Sequence, residues 1–351
     1  MKNRKLAIIG ATGLVGQTIL KVLEEKKFPI TEYAFFASAR SKGKKISFLE
    51  KNYIVQELTE NSFDEGFDFA IFSAGGSVAK QYAPIAVSKG CTVIDNSSCF
   101  RMDSNVPLIV PEVNVEEINN HHGIIANPNC STIQAVVALK PLDDAYKIKR
   151  IVYSTYQAVS GSGYKGVLDL QNGIYHYDNS KSMLENQNGN YALQKFSLPI
   201  FSNCLPHIDI FLENGYTKEE EKMINETRKI LKNPNLKITA TTVRVPVFNC
   251  HSEAINIEFE KDFDLEDLKN KLKNSNGIIV KDCIEKGIYP TVLDANNQDK
   301  VLVGRIRRDF SVPYGVNLWV VADNLRKGAA SNAVQILEKL LTSWYIFRLL
   351  A

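Results

Sequence analysis

The chain has 351 residues, 44% of them hydrophobic and 23% charged, with a formal net charge of +3. This length suits two domains rather than one, and the composition is that of a globular protein with ample core material. So small a charge, spread along the chain, argues against nucleic acid or a membrane as partner, and no apolar run is long enough for a signal peptide or a bilayer span.

In chain order, "KLAIIG" reads as a strand running into "GATGLVGQTILKVLEEKKF", where Leu14, Ile19, Leu20 and Leu23 have helical spacing. Strands "EYAFFAS" and "FDFAIFSA", a helix "GSVAKQYAPIAVSKG" and strands "CTVIDNS" and "GIIANP" follow. Strands alternating with helices predict parallel pairing in a doubly wound, Rossmann-like α/β domain. After Cys130 the texture changes. "IKRIVYSTYQAVSG", "KITATTVRVPVF", "SEAINIEFE" and "KVLVGRIRRDF" are β-branched strands, separated by a polar loop, "YDNSKSMLENQNGNY", and a charged helix, "TKEEEKMINETRKILK". They predict a second, α+β domain on a mostly antiparallel or mixed sheet. The final "NLRKGAASNAVQILEKLLTSW" reads as a helix that returns to the first domain, and "LLTSWYIFRLLA" as its packed amphipathic end. The expected division is 1–129, completed by 325–351, and 130–324.

"IIGATGLVGQ" places Gly10, Gly13 and Gly16 between a strand and a helix. Gly10 suits the tight turn, Gly13 lets backbone approach a pyrophosphate, and Gly16 allows close helix packing. Contacts to a dinucleotide are expected from Gly10, Thr12, Gly13, Leu14 and Val15, and from Ser73, Ala74 and Gly75 after a later strand. An NAD site usually has Asp or Glu after the second strand. Here "FFASARSKGKK" offers Ser38, Arg40 and Ser41 and no acid, which suits a 2′-phosphate and predicts NADP.

The six cysteines, Cys91, Cys99, Cys130, Cys204, Cys250 and Cys283, form no CxxC pair and no metal-ligand spacing, so free cytoplasmic thiols and no metal are expected. Cys130 differs from the others. "NPNCSTIQAVVALK" puts it at a helix start, with Ser131 or Thr132 as cap. A thiol there feels the positive end of the dipole and unpaired amides, which favours thiolate and a covalent nucleophile. Among five histidines, His251 and His207 compete evenly as its proton partner, whereas His121 and His122 read as an exposed loop pair.

Taken together, "GATGLVGQ", "NSSCFRMD", "PEVN", "NPNCSTIQ", "STYQAVSGSG", "LPHID", "KMINETRKIL", "TTVRVPV", "HSEAINIEF", "GRIRRD" and "WVVADNLRKGAA" resemble the aspartate-β-semialdehyde dehydrogenases, most of all the form common in Gram-positive bacteria. The likeness spans nearly the whole chain. It implies a homodimer or tetramer acting on a small molecule, with NADP and no metal. It further implies reductive dephosphorylation of L-aspartyl 4-phosphate through a cysteine thioester, in the biosynthesis of lysine, threonine, methionine and diaminopimelate. By the same resemblance Cys130 is the nucleophile, His251 the acid/base, and Gln157 orients the substrate. Arg244 grips the α-carboxylate, Glu219 the ammonium, Lys222 and Arg101 the phosphate, with Asn129 close by. Ser160, Gly161 and Asn324 line the nicotinamide site. N-acetyl-γ-glutamyl-phosphate reductases share this chemistry, but "NPNCST" and the charged helix differ from their pattern.

Three positions depart from the family pattern. Cys99 stands where alanine is usual, Cys250 where glycine is usual, and the third acid of "EEEK" where an apolar residue is usual. The two extra thiols predict a site prone to oxidation.

Overall fold

The computed structural model describes residues 4–178, 180–187 and 191–349, except the side chains of 183, 187 and 343–349. The chain divides into two compact units, Met1–Asn129 with Gly328–Ala351, and Cys130–Lys327.

The first unit runs β1 (Lys5–Ile9), α1 (Leu14–Lys26), β2 (Glu32–Ala37), β3 (Lys45–Phe48), β4 (Lys51–Ile54), β5 (Gln56–Glu57), β6 (Phe69–Phe72), α2 (Gly76–Ser88), β7 (Thr92–Asp95), α3 (Pro111–Asn114) and β8 (Ile124–Ala126). Six strands form one sheet in the order β5-β2-β1-β6-β7-β8, every pair parallel. Its inner strands β1, β6 and β7 are buried on both faces, and β1 and β6 read as nearly continuous apolar runs. In β1, Leu6 and Ile8 join a core with α1 and the C-terminal helix, whereas Ala7 and Ile9 join a second core under α2. The direction of winding reverses between β1 and β6. The strand ends at such a reversal are the usual ligand position in sheets of this kind. The β3–β4 hairpin carries no signal that marked it in advance.

The second unit runs α4 (Cys130–Tyr146), β9 (Ile148–Gln157), α5 (Tyr164–Tyr175), α6 (Met183–Gln187), α7 (Lys218–Ile230), β10 (Lys237–Arg244), β11 (His251–Phe259), α8 (Leu265–Lys273), β12 (Ile278–Val280), α9 (Val292–Ala295), β13 (Val301–Asp309) and β14 (Gly315–Ala322). Its mixed sheet has the order β10-β9-β11-β14-β13-β12, antiparallel in the middle and parallel at both edges. Helix α4 packs against this sheet and against α7 and α8. It is buried nearly all round, as befits a helix at the centre of a layer.

The observed fold matches the predicted Rossmann-like unit and mixed-sheet unit, with local differences. Strand β9 stops at Gln157, and "AVSG" instead enters a short 3₁₀ turn, Val159–Ser162. The polar loop holds the small helix α6, and β12, β14, α5 and α8 were not anticipated. Helix α4 begins at Cys130 itself, so Ser131 and Thr132 lie inside its first turn rather than capping it. The C-terminal segment forms a π-helical turn at Arg326–Ala330 and then α10 (Ser331–Leu349). Packing of the tail "LLTSWYIFRLLA" falls mostly outside the described side chains.

Candidate active site

Sheet register assembles the second unit's polar cluster. Arg244 ends β10 directly beside Gln157, which ends the parallel strand β9. On the other side of β9, β11 runs the opposite way and begins at His251. Three strands therefore deliver three polar side chains to one end of the sheet. Helix α4 delivers the fourth: Cys130 Sγ lies 3.2 Å from His251 Nε2.

His251 is fully buried and its Nδ1 accepts the Ala158 N–H at 3.0 Å. The neutral ring therefore carries its proton on Nε2, facing the sulfur. Burial, reinforced by the Arg244 cation, pushes the imidazole down to about 3, so it stays neutral at physiological pH. An Nε2–H donor, the first turn of α4 and the Arg244 charge all favour Cys130 as thiolate.

Arg244 is also buried. Its Nη1 donates to Ala158 O at 2.6 Å, while Nε has no partner among the described residues. Burial lowers its pKa, against the opposing pull of Glu219 and Cys130. A guanidinium with an unused N–H edge in a dry site is suited to a planar carboxylate. Gly161 makes room for it. A Cβ there would stand 3.0 Å from Arg244 Nη1 and 3.1 Å from His251 Cε1.

Gln157 donates from Nε2 to Glu219 Oε1 at 3.1 Å and accepts from the Thr155 hydroxyl at 3.1 Å. Glu219 reaches the site because Thr217 caps α7 in a box with Glu220. That register turns Glu219 inward, four residues before buried Met223, and leaves Glu221 bonded to Asn214 and Asn225. Lys222 donates to Glu219 Oε2 at 3.1 Å and to Asp209 Oδ2 at 2.7 Å. Burial alone would lower the ammonium, but the two carboxylates outweigh it and raise it. Asp209, inside "LPHID", was not anticipated as its partner. A lysine three residues from one acid on a helix gives no hint of a second acid on a loop.

Ser160 and Asn324 bond each other, and Asn324 Oδ1 also accepts the Cys250 N–H at 2.9 Å. Cys250 takes a left-handed φ of 73°, the conformation that a glycine would hold without strain. Its side chain is sealed against Ala295, Leu302 and Val321, and burial pushes its thiol well up. Cys99 is raised as well, by burial and then by Asp95. Neither environment favours a thiolate, which weighs against the expectation of an oxidation-prone site.

Of the competing histidines, His207 is exposed and stacks on Phe211 at 4.2 Å between ring centres. His121 is partly buried and accepts the Gly123 N–H, so only His122 fits the description of an exposed loop residue.

In the first unit, Gly10 has φ 84°, and a Cβ there would stand 2.4 Å from Ser73 O. A Cβ on Gly16 would stand 2.2 Å from Gly10 O. Gly13 is exposed and meets nothing closer than 3.5 Å. Gly13 is the N-cap of α1, with no side-chain cap bond and no acid in the first turn, leaving amides and dipole for an anion. Leu14 and Val15 open this helix, and Ser73, Ala74 and Gly75 follow β6, the next strand in the sheet. Thr12 donates to Ser41 at 3.3 Å, while Ser38 and Arg40 are exposed beside them. These residues fit a dinucleotide. Arg101 is buried and donates to the carbonyls of Asn127 and Asn96, both at 3.0 Å, and Asn129 is buried nearby in sequence.

Residues 5–121 match the semialdehyde dehydrogenase NAD binding domain and residues 139–327 the semialdehyde dehydrogenase dimerisation domain. The chain is 53% identical to an aspartate-semialdehyde dehydrogenase of Aquifex aeolicus, over 96% of this chain and 98% of that protein. The crystal structure of aspartate semialdehyde dehydrogenase II of Vibrio cholerae complexed with ASA superposes with a TM-score of 0.90 at 46% identity, covering 97% and 99% of the two chains. The Candida albicans enzyme with NADP gives 0.73 at 26% identity, covering 97% and 98%. Such varied sources do not single out the Gram-positive form. With both domain profiles and near full-length relatives in agreement, the chain belongs to the aspartate-semialdehyde dehydrogenase family.

Proposed function

We propose that this chain reduces L-aspartyl 4-phosphate to L-aspartate 4-semialdehyde with NADPH, reversibly and through a thioester on Cys130. The observation that carries this reading is the Cys130 Sγ–His251 Nε2 approach of 3.2 Å at the N-terminus of α4.

The Cys130 thiolate attacks the acyl carbon, the carbon–oxygen bond to phosphate breaks, and phosphate departs. Lys222 receives the departing charge, shifting part of its attraction from Asp209 and Glu219. Arg101 and Asn129 join this role by motif likeness. Arg244 holds the α-carboxylate on its free N–H edge, and Glu219, steadied by Gln157, holds the ammonium. Gly10, Gly13 and the uncapped start of α1 would hold the dinucleotide, whose reduced nicotinamide would supply the hydride that a thioester carbon accepts. The His251 Nε2–H hydrogen-bonds the oxygen while it carries the alkoxide charge; collapse re-forms the carbonyl, breaks the carbon–sulfur bond and returns Cys130 as thiolate, which the same N–H then stabilises. A thioester accepts hydride where a free carboxylate does not, which is the reason for covalent capture.

NADP rather than NAD follows from Ser38, Arg40 and Ser41 in place of an acid. The first unit then serves the cofactor and the second catalysis and dimerisation, in a cytoplasmic homodimer or tetramer. The route is that of lysine, threonine, methionine and diaminopimelate biosynthesis. Likeness to the Gram-positive form rests on the quoted motifs.

The test is phosphate-dependent NADPH formation from aspartate semialdehyde by the purified protein, beside the same assay with N-acetylglutamate semialdehyde. Cys130→Ala abolishes turnover and keeps NADP binding. Semialdehyde oxidation by that variant, or preference for the acetylated substrate, overturns the assignment.

A further inference from the structure

Two residues beyond His251 on β11 lies Glu253, on the same face of the sheet because side chains alternate. It is fully buried, and neither carboxyl oxygen has a hydrogen-bond partner among the described residues. An isolated buried carboxylate is strongly disfavoured, so such a group holds its proton instead. The titratable groups facing it do not oppose that. Glu219 on α7 adds a negative charge, Tyr153 on β9 and His251 on its own strand are neutral, and β14 contributes Val320. Burial first, and then Glu219, raise Glu253 well above the ordinary carboxylate range.

A protonated carboxyl has one O–H to donate. Gln134 supplies the matching need. It stands one helical turn after Cys130, hence on the same face of α4, and its Oε1 is buried with no partner among the described residues. Its Nε2 already reaches His251 O, at 3.4 Å. Gln134 thus lies one helical turn beyond Cys130 on α4, and Glu253 one strand repeat beyond His251 on β11.

We propose that Glu253, carrying its proton, is a positioning residue: its O–H donates to Gln134 Oε1 and ties α4 to β11 one repeat beyond Cys130 and His251. The catalytic part of this inference rests on the reading that those two residues react. A charged Glu253 would face the Gln134 oxygen acceptor to acceptor and push the two elements apart. The tie keeps the sulfur–imidazole spacing, adding to the long Gln134 Nε2–His251 O bond that already joins the two elements.

Infrared difference spectra of wild type against Glu253→Gln test the proton directly. A band from a protonated carboxyl carbonyl at neutral pH is expected. A carboxylate band in its place overturns the proposal. Kinetics test the tie. Glu253→Leu and Gln134→Leu should each lower kcat about tenfold with little change in KM, and the double variant no further. Both should slow alkylation of Cys130 at neutral pH, and Glu253→Gln, which restores a donor, should recover most of the loss. Wild-type kcat and alkylation in Glu253→Leu refute the tie, as do additive losses in the double variant. If Glu253→Leu does not fold, the infrared band and the Gln134→Leu and Glu253→Gln measurements still decide. The infrared result is independent of the reaction catalysed, whereas turnover by Cys130→Ala would remove the reaction and leave the band unaffected.

Discussion

The loop between β1 and α1 and the sheet end at Gln157, Arg244 and His251 are built in opposite ways. The loop works by leaving side chains out: Gly10 and Gly16 remove Cβ atoms that would strike backbone, and α1 begins without a capping side chain. The sheet end works by packing charge in. Glu219, Arg244 and His251 are each at most 5% exposed. A backbone site needs only a short stretch of chain and tolerates solvent. Buried charges need mutual compensation, so residues from α4, β9, α7, β10 and β11 must arrive together. The loop should therefore fail by steric collision and the sheet end by electrostatic imbalance.

The largest effect that would sharpen this contrast comes from the sheet end. Arg244→Leu removes the proposed α-carboxylate partner and leaves Glu219 with less positive charge. We expect kcat/KM for the amino-acid substrate to fall about 10³-fold with the NADP Kd unchanged. Unaltered kinetics in this variant would remove Arg244 from the site.

Next comes a pair of changes in the loop. Gly16→Ala puts a Cβ 2.2 Å from a backbone oxygen and should destabilise by about 2–3 kcal/mol, visible as a fall in Tm. Gly13→Ala meets no such obstacle. Its Tm should hold while the dinucleotide binds about tenfold more weakly, because the methyl would occupy the face proposed for pyrophosphate. Equal loss of stability in both variants would break the distinction between a turn glycine and a ligand glycine.

The third test uses pH. His251 is depressed from an ordinary value of 6.5 to about 3. The unfolded chain therefore binds a proton there that the folded chain refuses. The stability this contributes is complete above 6.5 and is lost as pH falls toward 3. Between pH 7 and 5 the Tm of wild type should fall more steeply than that of His251→Gln. Parallel Tm curves would show that the ring is not held neutral by burial.

Cys250→Gly should have the smallest effect. It relieves the left-handed φ, worth about 1 kcal/mol, but deletes a buried thiol and loosens the unfolded chain by a similar amount. Stability should stay within about 1 kcal/mol of wild type. The rate of inactivation by peroxide should not change, since the sealed Cys250 thiol is not the one oxidised. Clear protection would restore the oxidation-prone reading.

The sequence by itself determined the local features. Glycine spacing after an apolar run marked the loop, helical and two-residue periodicity separated the two kinds of unit, and Asn-Pro-Asn before Cys130 marked a helix start. Each depends on residues within a few positions of one another, where steric and hydrogen-bond rules act directly. Residue-level reading alone left His207 and His251 tied, and it missed Asp209 as a partner of Lys222 and Thr155 as a partner of Gln157. Tertiary structure decided these, because they meet only once β10, β9 and β11 pair in register and α4 and α7 settle on them. Cys130 and His251 are 121 residues apart in the chain. Their encounter, and the low dielectric that keeps the imidazole neutral, are properties of the packed sheet and helix together.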